Sequence, residues 1–157
     1  MNKEWKTDSG LPASVVWQAS ATHANGNTVI VGNRQAGATS DLYVSLTHKD
    51  GTLLWEQTMD IYNDHDYGSA VAFSGDDIVV GGAAFNPAEN AHDMIIAEFG
   101  ENGILVWSEI YAGNFAGNDA VTSVAVSIIG NIFITGGSEG SGTLFDYHTM
   151  KLDGSGN

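Results

Sequence analysis

An all-β fold of three repeated units is what this sequence predicts, and three observations predict it. Trp5, Trp55 and Trp107 recur at steps of 50 and 52 residues, each in the same local context. A fixed period of that size marks stacked supersecondary units. Short runs rich in Val, Ile, Tyr, Phe and Trp alternate with Gly, Asn and Asp turns, the pattern of strands joined by hairpins. No run of a dozen residues carries apolar positions at helical spacing, so almost no helix is expected.

The elements of one unit follow in order. The first strand is read from the stretches SATHANGNTVIVGN (20–33), AVAFSGDDIVVGG (70–82) and VAVSIIGNIFITGG (124–137). Each holds a β-prone run, a tight turn, a second β-prone run and a glycine. In the middle unit this places strands at 70–74 and 78–82. The third and fourth strands come from DLYVSLTHKDGTLLW (41–55) and DMIIAEFGENGILVW (93–107), with strands at 41–47 and 53–58 in the first copy. A third copy opens at Asp146 as DYHTMKLDGSG. Asn25-Gly26, Asp50-Gly51 and Asn102-Gly103 adopt positive φ cheaply, as two-residue hairpin turns require. Four antiparallel strands in about 50 residues make a β-propeller blade. The blades are expected at 8–59, 60–111 and 112–157.

The combination resembles a known family. An aspartate opens the third strand, Asp/Asn-Gly follows, then a Leu-Trp or Val-Trp pair, and then S/A-V-A-V-S-x-x-G-N-x-x-x-T-G, best seen in residues 93–111 and 120–137. This is similar to the bacterial SBBP-type β-propeller repeat. The copies have drifted: Asp76-Asp77 replaces Gly-Asn, and Trp17 falls where the other copies have Tyr67 and Val121. The resemblance implies a propeller in a bacterial extracellular or cell-surface setting. It implies no single activity.

Composition removes several function classes. Five basic residues face nineteen acidic ones, for a net charge of −14. Such a chain repels nucleic-acid phosphates and anionic lipid, so neither is an expected partner. There is no cysteine, hence no disulfide or thiol chemistry. No stretch of about 18 apolar residues spans a membrane. No basic-then-apolar leader opens the sequence.

Propellers close into rings of four to eight blades, and three blades cannot close alone. The third copy stops at Asn157, before its tryptophan, while Lys3, Glu4, Trp5, Lys6 and Thr7 read as a fourth strand with nothing before it. These five are expected to pair with Tyr147, His148, Thr149, Met150, Lys151 and Leu152 of a second copy. Two copies then give six blades and three give nine, with the homodimer preferred. The same complementarity arises where a chain is cut from a longer ring.

Long loops gathered on one face of a rigid scaffold are where binding residues concentrate. The richest is Asn63, Asp64, His65, Asp66 and Tyr67, with Asn118 and Asp119 at the matching place in the next unit. Carboxylates, an amide, an imidazole and a phenol there suit a hard cation or a sugar stacked on tyrosine. A solvated acidic loop is the commoner meaning of such a run. The full D-x-[DN]-x-[DN]-G calcium loop is absent, so no metal is assigned. The five histidines share no blade position. No serine sits in G-x-S-x-G. No catalytic residue and no cofactor is expected. Asp41, Asp93 and Asp146 read as caps for loop amides. The tryptophans read as packing anchors, with Trp17 free to serve either packing or binding. Two functions remain: a self-assembling, non-enzymatic scaffold or interaction module, and a lectin-like binder of carbohydrate or another small polar ligand. Equivalent lectin sites would repeat their residues, and loops 60–67 and 111–119 do not.

Overall fold

The computed structural model describes residues 14–113, 115–141 and 145–157. Eleven strands form three antiparallel sheets, with no helix among the described residues. The first sheet holds β1 (Val15–Thr22), β2 (Thr28–Ala36), β3 (Thr39–Thr47) and β4 (Leu53–Met59) in sequence order. The second holds β5 (Asp66–Ser74), β6 (Asp77–Asn86), β7 (Ala91–Phe99) and β8 (Leu105–Tyr111), again in order. The third holds β9 (Asp119–Val126), β10 (Ile132–Glu139) and β11 (Phe145–Leu152). Among the described residues β11 pairs only with β10. Lys3, Glu4, Trp5, Lys6 and Thr7 lie outside the described residues.

The sheets stack face to face, and alternation along each strand decides which side chains meet. Val29, Val31, Leu42, Val44 and Leu46 of the first sheet pack on Ile78, Val80, Ile95, Ala97 and Phe99 of the second. The other face of the second sheet sets Val79, Met94 and Ile96 against Val121, Ile132 and Ile134 of the third. Covered on both sides, β6 and β7 read as near-continuous apolar runs, as doubly buried strands do. The Ser69 hydroxyl donates to the Val121 carbonyl and ties β5 to β9.

One joint recurs between sheets. The Trp55 indole, on the last strand of the first sheet, lies over Gly103 in the β7–β8 turn of the second. The Trp107 indole lies over Gly156 in the turn after β11. Both glycines hold positive φ, 79° and 83°, and a Cβ on either would sit under 3 Å from the ring. Trp55 Nε1 donates to the Glu101 carbonyl at 2.8 Å, and Trp107 Nε1 to Glu98 Oε2 at 2.6 Å. The tryptophans therefore sit at the rims of the two cores, half-buried, rather than inside them.

Three details differ from the sequence reading. In Asn25-Gly26, Asp50-Gly51 and Asn102-Gly103 only the glycine takes positive φ. The preceding side chain instead accepts from the amide two residues on, at 2.8, 2.9 and 3.0 Å. These Asx turns need five connecting residues and keep the Asn or Asp at ordinary negative φ. Second, strands run beyond the expected 41–47 and 78–82: β3 begins at Thr39 and β6 reaches Asn86. Arg34, Gln35 and Ala36 continue the ladder against Asp41, Ser40 and Thr39. Third, β-bulges put Trp17 level with Gly68 and Val121, opposite Gly32, Gly82 and Gly136 respectively. Trp17 points away from the second sheet and packs edge-on against Tyr43, with ring centroids 5.6 Å apart.

Candidate functional site

The connections leading into β5 and β9 are each organised by a buried aspartate. Asp66 Oδ2 accepts from Ile61 N at 2.7 Å, and Asp119 Oδ2 accepts from Gly113 N at 2.6 Å. Both aspartates are buried, at 0% and 1% exposure. A short polar side chain at the loop exit supplies the acceptor that a tight connection lacks. Burial first, then the charges of Asp60 and Asp41, pushes the Asp66 carboxyl up to about 6.

The other candidate residues divide between two separate sheet junctions. At the first, Asn63 is exposed at φ 58°, and its backbone N–H donates to Asp60 Oδ1 at 2.7 Å. Asp64 Oδ1 accepts from His65 N at 2.9 Å. His65 reaches across to the first sheet, with Nδ1 3.2 Å from Ser40 Oγ. Tyr67 is half-buried beside His92, ring centroids 5.8 Å apart, and burial raises its phenol. At the second junction Asn118 does the work of His65. Its Oδ1 accepts from His92 N at 3.2 Å, while its own N and Nδ2 donate to Glu139 Oε2 at 3.0 and 3.1 Å. Ser40–His65 and His92–Asn118 are the same cross-sheet clamp made with different residues. Asn63 to Tyr67 and Asn118 to Asp119 thus belong to two equivalent corners, one per junction.

Strand register exposes partners that loop reading missed. Asp66 and Asp93 both lie opposite Ala84, one on each side of it, and cross-strand partners share a sheet face. Asp93 is 1% exposed, and its Oδ2 accepts from Tyr62 Oη at 3.0 Å and Asn86 Nδ2 at 3.1 Å. Burial, then the hydrogen bond to Asp93, raises the Tyr62 phenol. The recurrence of aspartate at 41, 93 and 146 was the available signal. It pointed to backbone capping, whereas Asp93 holds a tyrosine and an amide side chain.

At the second junction the matching place is open. Tyr111, Phe115, Ser138, Glu139, Asp146, Tyr147 and His148 surround a cavity of about 270 Å³. His148 stacks on Tyr111 with centroids 4.5 Å apart. Along β11, His148, Met150 and Leu152 turn toward the second sheet, while Tyr147, Thr149 and Lys151 are exposed. No protein-family model matches the chain, and no curated protein matches it.

Proposed function

We propose that this chain is a self-assembling β-propeller unit of the SBBP type, a non-enzymatic scaffold or interaction module in which two copies close a six-bladed ring. The carrying observation is the far face of the third sheet. Leu42, Met94 and Tyr147 each follow the repeated aspartate and hold the same register. Leu42 and Met94 are 0% exposed because the next sheet covers them, and Tyr147 is 92% exposed. Phe133 and Phe145 lie bare on that face with it. At the other end of the stack Trp17 is exposed on the outer face of the first sheet. Apolar faces of this kind mark interfaces. A second copy that sets its first sheet on this third sheet makes one more joint like the two already present. Residues 3–7 would then pair with β11 as a fourth strand, removing an open edge. By the resemblance, such a scaffold works at a bacterial surface or outside the cell.

The cavity lined by Tyr111, Glu139, Asp146 and His148 supports a second reading, a lectin-like site for a small polar ligand. An aromatic platform ringed by acceptors suits a sugar. A glycan array separates this reading from the first.

Light scattering on the chain at micromolar concentration tests the assembly. Two protomer masses are expected. Phe145→Asp with Tyr147→Asp should give one protomer mass with the far-UV spectrum of a folded sheet. A stable wild-type monomer overturns the proposal, and a three-protomer mass replaces six blades with nine.

A further inference from the structure

The two joints inside the chain share a device that its two end faces lack. Beside the β-bulges each joint brings two Cβ positions almost into coincidence, and one of the two residues is glycine. In the first joint Val31 sits against Gly68, where an added Cβ would lie 3.1 Å from the Val31 Cβ. In the second joint Gly81 sits against Val121, where an added Cβ would lie 3.0 Å from the Val121 Cβ. Two side chains cannot share so small a space, so the glycine is what lets each pair of sheets close to full contact.

Strand register identifies the pair that a third joint would bring together. Val31, Gly81 and Thr135 hold one place in β2, β6 and β10, each just before the glycine at the bulge. Trp17, Gly68 and Val121 hold the facing place in β1, β5 and β9. A second copy set on the third sheet in this register brings its Trp17 against Thr135. Neither is glycine, and both are exposed. The layers around them have changed in the same sense. Thr22, Thr28 and Thr47 stand where the second sheet has Phe73, Ile78 and Phe99. Ser123, Thr135 and Thr149 stand where the first sheet has Ala19, Val31 and Val44. Hydroxyls on both end faces suit them to water when apart, as the polar outer faces of terminal repeats do.

We propose that Trp17 of one copy, set against Thr135 of the next, holds the joint between copies short of full closure, so that this joint opens reversibly on dilution. The inference rests on the ring reading above and adds a regulation to it. The occupant of each end face is a second copy of this chain, and the indole acts there as a spacer rather than an anchor. The joints within the chain keep their glycines and stay shut.

Sedimentation of the full chain between about 10 μM and about 10 nM tests this. The wild type should pass from two protomer masses to one across that range. Trp17→Gly restores the glycine that Gly68 supplies in the first joint. It should lower the midpoint concentration about tenfold, the relief of one overpacked contact. Thr135→Gly restores a glycine from the other side, as Gly81 does, and should act alike. Because it lies on the opposite end face, it carries the test alone if Trp17→Gly does not give the far-UV spectrum of a folded sheet. The double variant should gain little over either single one, since one glycine per joint suffices. Weaker association of the folded single variants, or fully additive gains in the double variant, overturns the proposal and makes the indole an ordinary interface anchor. A wild type still paired at about 10 nM overturns it too, while the ring stands. A wild type that is monomeric throughout refutes the ring reading instead. The spacer survives that result only if the glycine variants pair, and is overturned if they do not.

Discussion

Replacing Gly103 with alanine tests the joint between sheets directly. The new methyl carbon would lie 2.7 Å from Trp55 Cδ2 and 2.9 Å from Cγ, so the indole must lift. Gly103 also holds φ 79°, which costs an L-residue about 1–2 kcal/mol. Lifting the ring forfeits part of its packing on Phe99 and the bond from Nε1 to the Glu101 carbonyl, about 1–2 kcal/mol more. The total is about 2–4 kcal/mol. Gly75→Ala is the internal control, because its φ is 65° and a Cβ there meets nothing within 4 Å. It carries the backbone term alone. Urea denaturation followed by tryptophan fluorescence reads the difference. With a slope near 2 kcal/mol/M, Gly103→Ala should unfold about 0.5–1 M lower than Gly75→Ala. Equal midpoints for the two variants would refute the claim that the indole rests on the glycine.

Other outcomes follow from the same geometry. Trp55→Ala should cost about 2–3 kcal/mol in urea melts, below the toll for a fully buried aromatic, since the ring is half-exposed. Asp119→Ala should cost about 1–3 kcal/mol and speed hydrogen exchange of the Gly113 amide, which loses its acceptor. Glu98 is buried, and burial holds its carboxyl above the ordinary value. Between the unfolded-state and folded-state values the folded chain keeps a proton that the unfolded chain has released. Stability from this group is greatest in acid and declines as pH rises through the folded-state value. Glu98→Gln retains an acceptor for Trp107 and should flatten that part of the pH dependence, measured as urea midpoints between pH 4.5 and 7.

The sheet pattern was legible because its signals are local. Alternation in DLYVSLT and the doubly buried run DIVVGG fix strands without knowledge of their neighbours. The turn geometry was half legible. Asp50-Gly51 announces a turn, but whether the aspartate takes positive φ or bonds the amide of Thr52 depends on strand twist. The candidate site was least legible. Asp66 and Asp119 sit in polar runs that read as solvated loops, and only the stacking of sheets shows that both are buried. The placement of Asp66 and Asp93 on either side of Ala84 spans a 27-residue separation in the sequence. A single sequence carries no signal for that, because β-bulges at 68–70 shift the count by one.

The tryptophan–glycine joint has a direction. The first and second sheets each extend an indole from their last strand, and the second and third each offer a glycine seat in a turn, like hooks and eyes. A contact of this kind joins unlike surfaces, so it carries no instruction about when to stop. In the ring proposed above, the wedge angle between sheets would supply that instruction, by bringing the last hook round to the first eye. A mutation that changes the wedge while sparing the indole and its seat would then leave every joint sound and alter the number of sheets in that ring, or leave it open as a fibre.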